Sequence, residues 1–260
     1  MALITSPHNE RIKLVRALQS SGKSRRKENR VALEGVRLIG DAISSGVTPD
    51  FVLYTQDAIA EGQPGSRLFA DLQARNVSCL EVVPEVMAHA ADTETPQGMI
   101  AVTPLPQLPL PSTITLALIC DGIADPGNLG TMLRTAGAAG ADVVMLMPGC
   151  VDAFNPKVLR AGMGAHFRVP IIRPSWEALS EQFSGLRVYL ADAQGQTAYT
   201  TVDWAQPCAV IIGGEAHGAE AVAHKQASAT VSIPMEKGAE SLNAASAAAV
   251  ILFEVRRQRA

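Results

Sequence analysis

The alternation of short apolar runs with amphipathic segments after residue 113 limits the fold of this chain more than any other feature. The apolar runs predict strands over 114–120, 143–147, 167–171, 187–190, 209–212 and 230–233. The amphipathic segments predict helices over 128–139, 156–163, 176–183, 219–226 and 242–256. Strands that are apolar at every position are typical of a parallel sheet with helices on both faces. We therefore expect an α/β domain with an open, Rossmann-like parallel sheet.

A proline-rich segment separates this region from the first part of the chain. Residues 103–112 contain four prolines, which exclude a helix or a central strand and favour an extended path. The segment predicts a linker between a domain of residues 1–102 and a domain of residues 113–260. In the first domain we predict a small α/β layer, with helices over 9–19, 36–45, 67–75 and 85–90 and strands over 30–33, 51–54, 77–82 and 98–102.

Composition and cysteine spacing narrow the class of protein. The chain has no apolar run of about 18 residues, and residues 1–10 contain Pro, His and Asn where a signal peptide needs an apolar stretch. Cys79, Cys120, Cys150 and Cys208 lie far apart, without a C-x-x-C pair or a histidine at zinc-ligand spacing. We expect a cytosolic protein with reduced thiols, no membrane span and no metal site.

Basic charge is concentrated in one segment. Residues 10–30 hold eight basic and two acidic residues, a charge of +6, whereas the whole chain carries −3. A short basic segment on an acidic protein is typical of localised contacts with nucleic-acid phosphates. We predict a flexible loop in which Lys23, Arg25, Arg26 and Lys27 contact RNA. The alternative is a solvated charged helix face and loop.

Two common nucleotide-binding motifs are absent. The dinucleotide pattern G-x-G-x-x-G starts at Gly162 and Gly164 but has Phe167 at its third glycine, and it follows a helix rather than a strand. The phosphate-binding pattern G-x-x-x-x-G-K-[ST] does not occur. A dehydrogenase or a nucleoside triphosphatase is therefore not expected.

Loops with glycine or polar residues follow three predicted strands, at 121–122, 213–215 and 233–235. Because the carboxyl ends of parallel strands meet at one edge of a sheet, we expect these loops to form one ligand site. Gly213 and Gly214 would let the backbone approach a ligand closely, and Ile233, Met235 and Leu242 would supply apolar walls. The alternative for the two glycines alone is a tight strand exit that requires a positive φ.

These loops fall within three longer motifs. They read DGIADPGNLGTMLRTA over 121–136, CAVIIGGEAHG over 208–218 and SIPMEKGAESLNAAS over 232–246. In this order and spacing they resemble the motifs of the SpoU/TrmH RNA 2′-O-ribose methyltransferases of the SPOUT superfamily. The resemblance implies a deep trefoil knot in the C-terminal domain and a ribosomal-protein-L30e-like RNA-binding domain before it. It also implies a homodimer whose active sites are completed across the interface.

The same resemblance assigns residues to the cofactor and to the chemistry. S-adenosylmethionine would be held, mainly by main-chain groups, at Gly213, Gly214, Ile233, Met235, Leu242 and Ser246. Arg134 would activate the ribose 2′-hydroxyl beside its phosphate. Glu215 would orient Arg134 or the substrate, and Asn128 and Asn243 would shape the site. From the residues alone, Glu215 and Asn243 are alternatively helix caps, and Arg134 alternatively pairs with a structural carboxylate.

The second motif departs from the family pattern at two positions. Ala216 stands where glycine is usual, and His217 where a basic residue is common. We interpret His217 as an RNA contact or as a solvent-exposed residue without that role. Together the motifs predict an S-adenosylmethionine-dependent RNA 2′-O-ribose methyltransferase that acts on rRNA. The alternatives are a tRNA 2′-O-ribose methyltransferase and an RNA- or ribosome-binding protein without catalysis.

Overall fold

The computed structural model describes residues 3–183, 185–215, 218–236 and 241–260. The chain divides into two compact units: the first contains Met1–Pro106 and Phe154–Phe167, and the second contains Gln107–Ala153 and Arg168–Ala260. Residues 154–167 pack with the first unit, whereas the sequence pattern grouped them with the second domain. The physical reason is apolar burial, because Leu159 and Phe167 lie in one hydrophobic cluster with Val31 and Leu33.

The first unit contains a four-stranded sheet with the strand order β1-β4-β2-β3. The strands are β1 (Arg30–Glu34), β2 (Phe51–Tyr54), β3 (Cys79–Glu81) and β4 (Met99–Pro104). β4 pairs antiparallel with β1 and β2, and β2 pairs parallel with β3. The helices of this unit are α1 (Glu10–Ser20), α2 (Gly22–Glu28), α3 (Val36–Ser44), α4 (Gln56–Ile59), α5 (Pro64–Ala74), α6 (Pro84–Ala90) and the later α8 (Pro156–Gly162). Alternate residues of β1 join different clusters, Ala32 on one face and Val31 and Leu33 on the other.

The basic segment after α1 forms the helix α2, where the charge pattern predicted a flexible loop. Ser21 caps its start, since the Ser21 hydroxyl accepts a hydrogen bond from the backbone N–H of Ser24 at 3.2 Å. Asn29 ends it in the left-handed conformation, with a φ of 51°. The two cap residues were therefore a better indication of local structure than the run of charges between them.

The second unit contains a seven-stranded sheet with the order β7-β6-β5-β10-β8-β11-β9. The strands are β5 (Leu116–Asp121), β6 (Val143–Leu146), β7 (Ile171–Ile172), β8 (Arg187–Ala191), β9 (Thr197–Ala198), β10 (Cys208–Gly213) and β11 (Ala229–Ser232). Each neighbouring pair is parallel. The helices are α7 (Pro126–Ala139), α9 (Trp176–Gln182), α10 (Ala221–Gln226) and α11 (Ala244–Gln258). The predicted parallel α/β sheet is confirmed.

The structure corrects the predicted strand over 167–171. Residues Ala165–Phe167 form a 3₁₀ turn, and β7 begins only at Ile171. Pro170 precedes β7 and lacks an N–H, so it contributes only its carbonyl, which accepts a hydrogen bond from Val144 at 2.9 Å. In the described part of the chain, no helix is long and apolar enough to cross a membrane.

Candidate active site

Four parallel strands of the second unit end side by side at one edge of the sheet. Asp121 of β5 is paired with Gly213 of β10, and Ala191 of β8 is paired with both Ile212 and Val231. A cavity of about 330 Å³ opens beside these strand ends. Its size falls at the lower end of the range for small-molecule sites. This is the position that the three sequence loops predicted for a ligand.

Five of the six residues predicted to bind the cofactor line this cavity: Gly213, Gly214, Ile233, Met235 and Leu242. Ser246 does not belong to the wall; its backbone N–H donates to Asn243 Oδ1 at 3.2 Å instead. Residues 216–217 and 237–240 lie outside the described residues, so the roles predicted for Ala216 and His217 stay predictions.

Gly213 and Gly214 are required by close backbone packing. A Cβ on Gly214 would lie 2.5 Å from the carbonyl oxygen of Gly122, and a Cβ on Gly213 would lie 2.4 Å from the backbone nitrogen of Ala219. Neither glycine has a positive φ, so the tight strand exit considered from the sequence is not the reason for them. Both glycines instead let the end of β10 pack between the backbone of Gly122 and the backbone of Gly218 and Ala219.

One residue from each of the three motifs joins a hydrogen-bonded cluster beside the cavity. Asn128 Nδ2 donates to Glu215 Oε1 at 2.8 Å. Asn243 Nδ2 donates to Asn128 Oδ1 at 3.0 Å and also to Glu215 Oε1. Asn243 Oδ1 accepts from the backbone of Ala245 and Ser246 and so caps α11. Asn243 therefore caps α11 and joins the cluster at the same time, so its capping role is compatible with the predicted active-site role, which stays a prediction.

Arg134 lies on α7 and its side chain is exposed. No hydrogen bond or ion pair joins it to any residue that the structure describes. The predicted contact between Glu215 and Arg134 is therefore not formed in this single chain, where Glu215 holds the two asparagines. With respect to the described residues, the guanidinium is available to an external anion.

The loop after β8 supplies a carboxylate to the cavity that the sequence reasoning missed. Asp192 is half-buried and lines the wall, and its Oδ1 accepts a hydrogen bond from the backbone of Gln194 at 2.8 Å. His224 and Ser241 also line the cavity. The available signal was the position of Asp192 directly after an apolar strand, at the same sheet edge as the motif loops.

The predicted RNA-contacting residues of α2 divide into two groups. Lys23, Arg26 and Lys27 are exposed. Arg25 is only 3% exposed, and its guanidinium donates to the backbone carbonyls of Leu18 at 2.5 Å and Gln19 at 3.2 Å. The prediction that Arg25 contacts RNA is therefore corrected: its charge is buried against the C-terminal turn of α1, where it satisfies open carbonyls.

The cysteines do not form a reactive centre. All four are free; Cys79, Cys120 and Cys208 are buried, and Cys150 is partly exposed. Burial raises the pKa of each thiol, that of Cys208 to about 11, which keeps the thiols protonated and unreactive at neutral pH. Among the described residues, no three His, Cys, Asp or Glu side chains are grouped as ligands for a metal ion.

Two known families match separate regions of the chain. Residues 115–253 match the SpoU rRNA Methylase family, and residues 9–101 match the MRM3-like substrate binding domain. The chain belongs to the SpoU rRNA methylase family. The motif resemblance is thereby confirmed.

Relatives of this SpoU family member match nearly all of its length. It is 34% identical to mouse mitochondrial rRNA methyltransferase 3 over 97% of this chain and 73% of the relative. It is 32% identical to the 23S rRNA (guanosine(2553)-2'-O)-methyltransferase RlmP of Bacillus subtilis, over 98% of this chain and 100% of the relative. An AdoMet-bound rRNA methyltransferase from Sinorhizobium meliloti superposes with a TM-score of 0.84 at 30% identity, covering 98% of this chain and 97% of that structure.

Proposed function

We propose that this protein is an S-adenosylmethionine-dependent 2′-O-ribose methyltransferase that acts on rRNA. The observation that carries the proposal is the cluster of Asn128, Glu215 and Asn243 beside a cavity at the carboxyl edge of the sheet. Both the mouse and the Bacillus relatives are named as rRNA methyltransferases. The cluster brings the three family motifs together at the place where a small ligand fits.

The cavity suits S-adenosylmethionine in shape and charge. Ile233 and Leu242 offer apolar surface for an adenine ring, and the glycines expose main-chain groups. Asp192 and Glu215 place two carboxylates in the wall, which favours a ligand with a positive charge. When bound, S-adenosylmethionine supplies a methyl group on a sulfonium, which passes to the ribose oxygen while the sulfur becomes a neutral thioether.

Arg134 is the proposed catalytic residue. Its guanidinium is exposed and unengaged by the described residues, and its planar fork matches a phosphate next to the reacting ribose. A guanidinium stays protonated and does not act as a base. We assign it to stabilising negative charge on the 2′-oxygen, while a phosphate oxygen or water takes the proton. Glu215 and the two asparagines hold the surrounding loops in place.

The first unit is the proposed RNA-binding part. It matches a substrate binding domain model, and Lys23, Arg26 and Lys27 present three exposed positive charges on α2. rRNA is favoured over tRNA by the names of the full-length relatives. The tRNA-methylating and non-catalytic alternatives are separated by the assay below.

We propose the finer features of fold and assembly from family membership. The deep trefoil knot in the second unit is proposed from family membership alone, as one of the rare exceptions to unknotted topology. The first unit is proposed to be ribosomal-protein-L30e-like. The homodimer is proposed from family membership, and we assign to its interface the side chain of Phe253 on α11, which is 50% exposed. Sedimentation of wild type and Phe253→Glu tests the assignment of Phe253 to the interface, and equal mass for both proteins would contradict it.

We place the protein in the cytosol, which cell fractionation tests.

The deciding experiment is a methyl-transfer assay with purified protein, labelled S-adenosylmethionine, and rRNA or tRNA from a strain that lacks the gene. We expect label in rRNA, at a ribose that becomes resistant to alkaline cleavage. Mapping 2′-O-methyl sites in the same strain then names the nucleotide. Label in tRNA alone would replace the proposed substrate. Cofactor binding by calorimetry without transfer to either RNA would favour the non-catalytic alternative.

A further inference from the structure

Asp121 is a carboxylate buried directly behind the wall of the cavity. It is the last residue of β5, is paired in register with Gly213, and is only 1% exposed. Its Oδ2 accepts a hydrogen bond from the backbone N–H of Glu220 at 2.7 Å. Its Oδ1 is buried and has no hydrogen-bond partner among the residues described. A buried carboxylate with one open oxygen is costly, so a purely structural role does not explain it well.

Among the described residues, the Asp121 side chain makes one hydrogen bond, and that bond holds one end of the loop that carries Glu215. Glu220 is the residue immediately before α10, and Gly214 and Gly218 close the loop by a backbone bridge of 2.9 Å. Gly214 also packs against the carbonyl of Gly122 with no space for a side chain. The Glu215 loop is therefore fixed at the Gly214–Gly218 bridge and at the bond from Glu220 to Asp121.

We infer that Asp121 is a positioning residue, which acts through this loop on Glu215 and on the cofactor wall. Glu215 binds Asn128 and Asn243, and Gly218 and Ala219 on the far side of the loop also line the cavity. A shift at Glu220 would therefore move both the cluster and the wall. Burial raises the pKa of the Asp121 carboxyl, because removal from water disfavours its charged form. The inference rests on the proposed methyltransferase function.

The test compares Asp121→Ala, Asp121→Asn and Asp142→Ala by kcat, by KM for S-adenosylmethionine and by melting temperature. Asp142 is a matched control, since its Oδ2 accepts from the backbone of Thr115 at 2.7 Å and Leu116 at 2.9 Å, at the opposite edge of the same sheet. We expect Asp121→Ala to lower kcat/KM by about tenfold or more. Asp121→Asn keeps an acceptor for Glu220 and should recover most of that loss. Asp142→Ala should lower only the melting temperature.

A double-mutant cycle separates positioning from general destabilisation. If Asp121 acts through Glu215, the losses in kcat for Asp121→Ala and Glu215→Ala will not multiply in the double variant. Independent losses, no recovery in Asp121→Asn, or equal kinetics for Asp121→Ala and Asp142→Ala would each overturn the inference. If the wild type transfers no methyl group, the proposed function fails instead. Calorimetry with S-adenosylmethionine then decides the inference: weaker binding by Asp121→Ala than by Asp142→Ala supports it, and equal binding overturns it.

Discussion

Glu215 accepts a hydrogen bond from the side-chain amide of Asn128 at 2.8 Å, across 87 positions of sequence. The same carboxylate oxygen binds the amide of Asn243, so one acceptor joins all three family motifs. Because Glu215 is exposed, these bonds contribute little to global stability but fix the loops relative to one another.

Glu215 substitutions should separate hydrogen bonding from charge. Gln keeps a carbonyl that can accept from Asn128, whereas Ala removes the acceptor. We expect Glu215→Ala to lower kcat by about tenfold or more with a small change in melting temperature, and Glu215→Gln to lose less. Steady-state kinetics on rRNA, with circular dichroism for stability, measure this. Equal losses in both variants would show that charge, not the shared acceptor, is what matters.

Arg134→Ala should abolish methyl transfer and leave S-adenosylmethionine binding nearly unchanged. The side chain lies on α7, outside the cavity wall, and is exposed. Arg134→Lys should fail as well, because an ammonium cannot form the planar two-pronged contact with a phosphate. Single-turnover transfer and calorimetry are measured on each variant. Activity near wild type in either variant would remove Arg134 from the proposed chemistry.

The sequence predicted the positions of the buried strands better than it predicted the contacts between residues far apart in the chain. Apolar runs located β2 at Phe51–Tyr54 and the core of β10 because burial on both faces leaves an uninterrupted signal. The asparagine cluster was accessible only through the motifs, since no local pattern indicates that Asn128 and Asn243 meet. Their contact depends on the order of strands in the sheet.

The positions of the Arg25 and Asp192 side chains depend on tertiary structure and could not be predicted from local sequence. A run of basic residues does not reveal which member turns inward, and Arg25 does so because carbonyls at the end of α1 need donors. Asp192 reaches the cavity because β8 lies between β10 and β11. The position of Asp192 directly after an apolar strand places it at the carboxyl edge of the sheet, but the order of the strands, which brings it to this cavity, is a property of the sheet topology.

The exposed charges of α2 should contribute phosphate contacts. Replacing Lys23, Arg26 and Lys27 by Ser should weaken rRNA binding and reduce the magnitude of its log–log salt slope by about two to three. Arg75→Ser is the control, because Arg75 is exposed but paired with Asp71 at 2.9 Å. Binding titrations at several salt concentrations measure the slope. A slope unchanged from wild type would return α2 to a solvated charged helix.

Arg25→Ser should behave differently from its neighbours. Leaving the Leu18 and Gln19 carbonyls without a donor should lower the free energy of unfolding by about 1–3 kcal/mol. Denaturant titration measures this loss. A variant as stable as wild type would contradict the structural role of the buried guanidinium.

Asp192→Asn should weaken binding of S-adenosylmethionine more than binding of its demethylated product. Only the former carries a sulfonium charge, and a unit charge nearby is worth about 1 kcal/mol in a site open to water, roughly fivefold in Kd. Asp203→Asn is a matched control, since Asp203 also accepts from the backbone two residues on, at 3.1 Å from Ala205, but does not line the cavity. Calorimetry with both ligands decides. An equal loss for the two ligands would exclude a charge-selective role.

The buried carboxyl of Asp121 should give stability a pH dependence of definite sign. Burial raises its pKa, and the Glu220 carboxylate adds to the rise, while the N–H of Glu220 and the nearby His224 oppose it. A carboxyl with a raised pKa in the folded state stabilises the fold when protonated, below its unfolded pKa, and that contribution is lost as the pH rises through the folded pKa. In Asp121→Asn the side-chain amide does not titrate, so this contribution is absent. The free energy of unfolding of Asp121→Asn relative to wild type should therefore increase from about pH 4 to about pH 7. Urea denaturation across this range measures it, and a difference that stays flat or decreases would contradict the raised pKa.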